Sequence, residues 1–227
     1  MTTTPPPDLR AAAARNCYEE VCWEARRLVY DDQITSGVTE RRIGLMASLH
    51  AGGERAPGDR LEIAPVRLRH AEALRRVFDT IARERRYLPV FEAPPLDDVR
   101  RYIQDAIEKD DPAVVALGDD AVVGWCNIRR DAQPTGAHRG VLGMGVVPSW
   151  RRRGVGSRLI EAALRLARER CFVRIELEVY ADNHPAIALY KKFGFAPEGV
   201  RRDAIAIDGR YCDSILLAIV DRTGVHD

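Results

Sequence analysis

The stretch VPSWRRRGVGSRLIEAAL, Val147 to Leu164, sets three consecutive arginines before a Gly-x-Gly turn and runs directly into an apolar helical stripe. An apolar run, GVLGMGVV, ends just before Pro148, so a strand leads into a turn and the turn into a helix. Amides in a helix's first turn have no intrahelical partner and sit at the positive end of its dipole, so phosphates bind there readily. Gly154 and Gly156 let such a ligand approach the backbone, and Arg151, Arg152 and Arg153 add charge that an anion would offset. A Walker-type loop would need a lysine that is absent here, and a dinucleotide fingerprint would need a glycine where Leu159 stands. From this stretch alone, a glycine-rich turn with solvated arginines stays open as the alternative.

Working outward, the pattern is regular from Leu61. RLEIAPVRL alternates as a strand; Leu74, Val77, Phe78 and Ile81 give a helical stripe; a second helix is expected from Leu96 to about Glu108, with Asp97 and Asp98 in its first turn. AVVAL and AVVGWCNI, joined around Gly118-Asp119-Asp120, read as a hairpin. The helix after the arginines has Leu159, Ile160, Ala163, Leu164 and Ala167 on one face. RIELEV is a strand, HPAIALYKKF a short helix, and RRDAIAIDGRYCDSILLAI a hairpin turning at Asp208-Gly209. The order β, α, α, β, β, β, α, β, α, β, β implies an α/β architecture around a mixed sheet.

The spacing Arg151-x-x-Gly154-x-Gly156 resembles the acetyl-CoA pyrophosphate loop of the GNAT superfamily of N-acetyltransferases. About thirty residues on, DNHPAIALYKKFGF resembles the superfamily's second motif at Asn183, Ala186, Tyr190, Gly194 and Phe195. The resemblance spans Leu61 to about Val220, and the tail through Gly209, Tyr211 and Asp213 is similar to the bacterial branch that acetylates amino acids or other small amines. It implies a GNAT-like, mostly antiparallel central sheet flanked by helices, with acetyl-CoA as co-substrate, no metal, and a small amine as acceptor. Acetylation of a protein N-terminus or lysine, and a non-catalytic acyl-CoA-binding module, are the competing readings.

Attack of an amine on a thioester needs a neutral amine, a stabilised oxyanion and a proton for the departing thiolate. The resemblance implies a strand that splays from its neighbour before the loop, with backbone groups of Val146 and Val147 at the thioester; Gly143 and Gly145 are expected to distort that strand. The amides from Arg152 through Arg153, Gly154, Val155 and Gly156 to Ser157 would hold the pyrophosphate, with Arg151 in the motif by its side chain. Tyr190 matches the family's frequent general acid, its phenol protonated at neutral pH with a reference pKa of about 10; a buried aromatic is the alternative. Asn183 fits a cofactor contact or a helix cap. No carboxylate stands on the strand GVLGMGVV, which leaves His138 or Asp213 as base or substrate contact, Glu176 and Glu178 as a strand's polar face, or a water chain. Glu84, Arg85, Tyr87 and Asp213 are candidate acceptor contacts, with a charged helix end as the alternative.

The bulk numbers constrain partners. Of 227 residues, 35 are Lys or Arg and 34 Asp or Glu, a net charge of +1, so no global field attracts nucleic acid or a membrane surface. Five scattered cysteines without a C-x-x-C pair suggest neither a disulfide framework nor a zinc site, and reduced thiols in cytoplasm are expected. No run approaches the roughly 18 apolar residues of a membrane span, and MTTTPPPDLRAAAARN lacks a secretory pattern. Residues 1–60 form an N-terminal extension before the 61–227 catalytic domain. Its stripe of Ala14, Tyr18, Val21, Cys22, Ala25, Leu28 and Val29 predicts a helix, with a second over about 39–50. Packing on the catalytic domain, covering the acceptor site, forming a homodimer, and serving as a regulatory interaction segment all stay open for it.

Overall fold

The computed structural model describes residues 60–222, and the helices expected in the N-terminal extension lie outside the described residues. Seven strands form one sheet: β1 (Leu61–Pro65), β2 (Ala113–Gly118), β3 (Ala121–Arg130), β4 (Arg139–Val146), β5 (Arg174–Tyr180), β6 (Ala196–Ile207) and β7 (Arg210–Val220), in the order β1-β2-β3-β4-β5-β7-β6. Four helices accompany it: α1 (Ala71–Ala82), α2 (Leu96–Glu108), α3 (Val155–Glu169) and α4 (His184–Lys192). Every neighbouring pair is antiparallel except β4 with β5, so the mixed, mostly antiparallel sheet expected from the element order is present.

The sheet is covered on both faces by the stripes the sequence places there. On one face α3 buries Leu159, Ile160, Ala163, Leu164 and Ala167 against Ala116, Cys126, Ile128, Leu142, Leu177 and Leu217. On the other, Leu74, Val77 and Ile81 of α1 meet Val99 and Ile103 of α2 over Val115 and Trp125. Each such aliphatic side chain contributes about 1.5–3 kcal/mol when fully buried, so these stripes fix all three helices against the sheet.

One irregularity positions the site. Parallel pairing of β4 with β5 covers only Arg139↔Arg174, Gly140↔Ile175 and Val141↔Glu176. Beyond it the two strands run on unpaired and leave a gap toward their C-terminal ends, as the resemblance implied. Glycine-driven distortion does not accompany it: β3 and β4 stay in unbroken register from Gly124↔Val146 to Arg130↔Gly140. The two glycines serve packing instead. A Cβ on Gly145 would enter the Trp125 ring and come within 2.9 Å of Ile81 Cδ1, and one on Gly143 would lie 3.3 Å from Asn127 Oδ1.

Candidate active site

The open end of the sheet collects the chain segments that carry the motifs. β4 and β5 both run toward it, α1 climbs to it and ends at Ala82, and the β6–β7 turn at Asp208 and Gly209 projects past Tyr180, the last residue of β5 to pair with β7. Between β4 and α3 the chain makes one 3-10 turn, Pro148–Trp150, and two left-handed residues, Arg152 (φ 62°) and Gly154 (φ 79°). Gly154 is the N-cap of α3, offers no side-chain cap, and no acidic residue stands in the first turn. Among the described residues, none of the amides from Arg152 to Ser157 has a protein acceptor, whereas Arg151 N–H reaches Pro148 O and Arg158 N–H reaches Gly154 O. A row of donors without protein acceptors at the positive end of a helix is an arrangement that favours an anion. Arg152 and Arg153 are exposed beside it, with Arg153 lying 5.3 Å from the Trp150 ring.

Arg151 does something different. Its Nε donates to Val146 O at 2.8 Å, and its two terminal nitrogens embrace the Glu84 carboxylate, with Nη1 to Oε2 at 2.7 Å. This side chain ties the end of β4 to the segment after α1, which occupies Glu84 as well. Gly156 packs closely: a Cβ there would stand 2.9 Å from Leu189 Cδ2 of α4. Of the two valines, Val147 spends its N–H on Val123 O of β3, so by strand alternation Val146 and Met144 turn theirs toward the gap.

Tyr190 stands on α4 behind the gap. It is buried, touches Phe195 edge-on at 5.8 Å between ring centres, and has no hydrogen bond to its phenol among the described residues. Burial, with a smaller push from the nearby Cys126 thiol, raises its pKa far above the ordinary value, so the phenol keeps its proton throughout the neutral and alkaline range. Asn183 caps α4, its Oδ1 accepting from Ala186 N at 3.3 Å.

The remaining candidates separate. His138 is exposed and precedes Arg139, at the closed end of the sheet, about 26 Å of strand from Val146 at about 3.3 Å per residue. That distance removes it from the site; sequence proximity to the strand hid which end it occupies. Asp213 accepts from Asp203 N at 2.9 Å and so pins a bulge in β6, where Asp203 is left-handed (φ 50°). Arg85 pairs with Asp208, Nε to Oδ2 at 3.2 Å, and Tyr87 lies under the Arg86 guanidinium at 5.1 Å.

Glu178, expected on the polar face of a strand, lies beside the gap. Ile175, Leu177 and Val179 point into the core with α3, so Glu178 faces the opposite side, along the unpaired part of β5. Its carboxylate accepts from Ser214 Oγ and from Arg201 Nη1 at 2.9 Å. Sequence reasoning placed it on a polar strand face; the fully buried Ser214 within the apolar run SILLAI was the available hint that a polar partner sits opposite. Glu178 and Tyr190 thus approach the gap from opposite faces of the sheet. Among the described residues no group of three or more His, Cys, Asp or Glu side chains could hold a metal ion, and no helix is long and apolar enough to cross a membrane.

Residues 75–195 match the model of the Acetyltransferase (GNAT) family. The chain is 37% identical over 108 residues to an L-amino acid N-acetyltransferase of Escherichia coli K12, covering 47% of this chain and 67% of that protein. It is 34% identical over 96 residues to an N-alpha-acetyltransferase of Mycobacterium tuberculosis H37Rv, covering 42% of this chain and 59% of that one. A phosphinothricin acetyltransferase of the GNAT superfamily from Sinorhizobium meliloti, solved with acetyl-CoA, shares the fold with a TM-score of 0.68 at 15% identity, over 73% of this chain and 92% of its own.

Proposed function

The chain belongs to the acetyltransferase (GNAT) family, and from that premise we propose that it moves the acetyl group of acetyl-CoA to the primary amine of a small molecule, an amino acid or amine-bearing metabolite, by direct attack on the thioester. The observation that carries this reading is the row of unpaired amides from Arg152 to Ser157, placed where β4 and β5 part. Pyrophosphate on those amides directs the pantetheine arm into the gap, where the Val146 and Met144 amides face the thioester. The amine enters from the face that carries Glu178, and its nitrogen bonds to the carbonyl carbon. Glu178 takes the ammonium proton, directly or through a water, because only the neutral amine has a lone pair to give. As the C–S bond breaks, the thiolate on the opposite face takes the phenolic proton of Tyr190, and the proton that the attacking nitrogen sheds in becoming the amide restores the phenol. Arg151 acts as a positioning residue that holds Val146 O.

The small-amine acceptor draws support from the similarity to the amino-acid acetyltransferase. Acetylation of a protein N-terminus is the second reading, favoured by the similarity to the N-alpha-acetyltransferase. Comparing kcat/KM for free amino acids with that for peptides starting on the same residues separates them. A preference for free amino acids supports the first reading, and a preference for peptides replaces it with the second.

A further inference from the structure

Two adjacent residues after α1 reach in different directions. Glu84 holds Arg151 on the β4 side of the gap, and Arg85 crosses to Asp208 at the tip of the β6–β7 hairpin, on the far side of β5. The gap between β4 and β5 therefore lies between the two attachments, and the Arg85–Asp208 bridge passes over its mouth. Arg85 is not casually placed: its backbone is left-handed (φ 50°), and its guanidinium lies 4.0 Å above the Phe91 ring. The segment that presents it is anchored at its other end as well, by Arg75 Nε to Pro94 O and by Ala93 N to Asp79 Oδ1, both at 2.9 Å. Asp208 sits in the tight two-residue turn, also left-handed (φ 50°), so its backbone is held close to the first residues of β7.

We infer that Arg85 and Asp208 form a specificity brace across the acceptor entrance. It admits an amine on a small molecule and obstructs a polypeptide, whose chain on either side of the amine would have to cross the same mouth. The inference rests on the proposed acetyl transfer for its kinetic readout and on geometry alone for its existence. The side chains of Arg85 and Asp208 are 44% and 60% exposed, so solvent and salt compete for both charges and the brace opens readily. It acts on selectivity, leaving the chemistry to the residues in the gap.

The test uses the full chain with Asp208→Asn and Arg85→Asn, since asparagine tolerates the left-handed backbone at both positions. For each, kcat/KM is measured with a free amino acid, with a peptide beginning on that residue and with a peptide carrying an internal lysine, at low and high salt. The expected result is a raised peptide-to-amino-acid ratio, roughly three- to thirtyfold in Arg85→Asn, which loses the exposed bidentate pair and its cation–π stack, and up to about fivefold in Asp208→Asn, which loses the pair alone. The KM for acetyl-CoA should stay within about twofold, since the amide row is untouched. Salt should move the wild-type ratio in the same direction and leave the variants unmoved, a response that a merely structural role would not produce. An unchanged ratio, or an equal loss on all acceptors, overturns the brace. If the wild type acetylates no amine, the proposed function fails; amide exchange of residues 85–91 and 206–211 then decides the brace alone. Faster exchange in both variants supports it, and unaltered exchange overturns it.

Discussion

Replacing Tyr190 by phenylalanine removes one oxygen and nothing else. The ring is 8% exposed, keeps its edge contact with Phe195, and its hydroxyl has no hydrogen-bond partner among the described residues, so no bond is lost on substitution. The ring is buried, but its oxygen is not one of the buried polar atoms left without a partner among the described residues, so the hydroxyl keeps contact with solvent and its removal should change stability by less than about 1 kcal/mol. Turnover should respond differently. Positioned general acids supply about 10²–10⁴-fold, and a thiolate, with a thiol reference pKa of about 8.5, needs that help less than an alkoxide would. The low end, about a hundredfold or about 2.7 kcal/mol of barrier, is therefore expected in kcat. Because burial raises the phenol's pKa, the wild type should show no alkaline limb from this group, and the variant should lower the plateau without moving its edges. Thiol release gives kcat, calorimetry the acetyl-CoA affinity, and thermal melting the stability. Unchanged turnover, or an affinity loss that accounts for the whole effect, would refute the acid role and leave Tyr190 as packing.

Other sites give separate readings. Gly154→Ala meets no atom within 4 Å but forces a left-handed alanine at φ 79°; the loop sheds this strain of about 1 kcal/mol by turning its amides out of the binding conformation, which should weaken acetyl-CoA binding by up to about fivefold by calorimetry while the protein stays folded. Glu178→Gln should lower kcat by roughly ten- to a hundredfold at neutral pH, with the deficit shrinking as rising pH deprotonates the amine itself; a constant deficit across the pH–rate profile would remove Glu178 as base. His138→Ala should change neither kcat nor melting temperature beyond about 0.5 kcal/mol equivalent, as expected for an exposed residue at the closed end of the sheet.

Much of the frame was legible in the sequence because local periodicity and turn chemistry decided it. The helix expected from Leu96 to Glu108 occupies those residues, the stripe from Leu159 to Ala167 is the buried face of α3, and Asp208-Gly209 turns the last hairpin. What stayed hidden depends on register and on side-chain direction. A sequence shows that His138 borders a strand, but only the parallel register of Arg139 with Arg174 puts it at the closed end. Arg151 belongs to the loop motif by position, yet its guanidinium turns inward to Glu84, a partner 67 residues away that no periodicity connects to it. Asn183 and Asp213 likewise carry side chains that suit a ligand and are used on the backbone of their own surroundings. Glu178 was visible as an acid on an alternating strand; its buried Ser214 partner appears only when β7 is laid against β5.

Direct transfer at the β4–β5 gap is tested most plainly by acetyl-CoA labelled on its acetyl carbons, incubated with the full chain and a mixture of free amino acids and small amines. The label should appear on an amine nitrogen in step with free thiol, with no labelled protein accumulating. Acetyl-CoA that binds without transferring its label to any amine, or label that resides first on the protein, would contradict direct transfer.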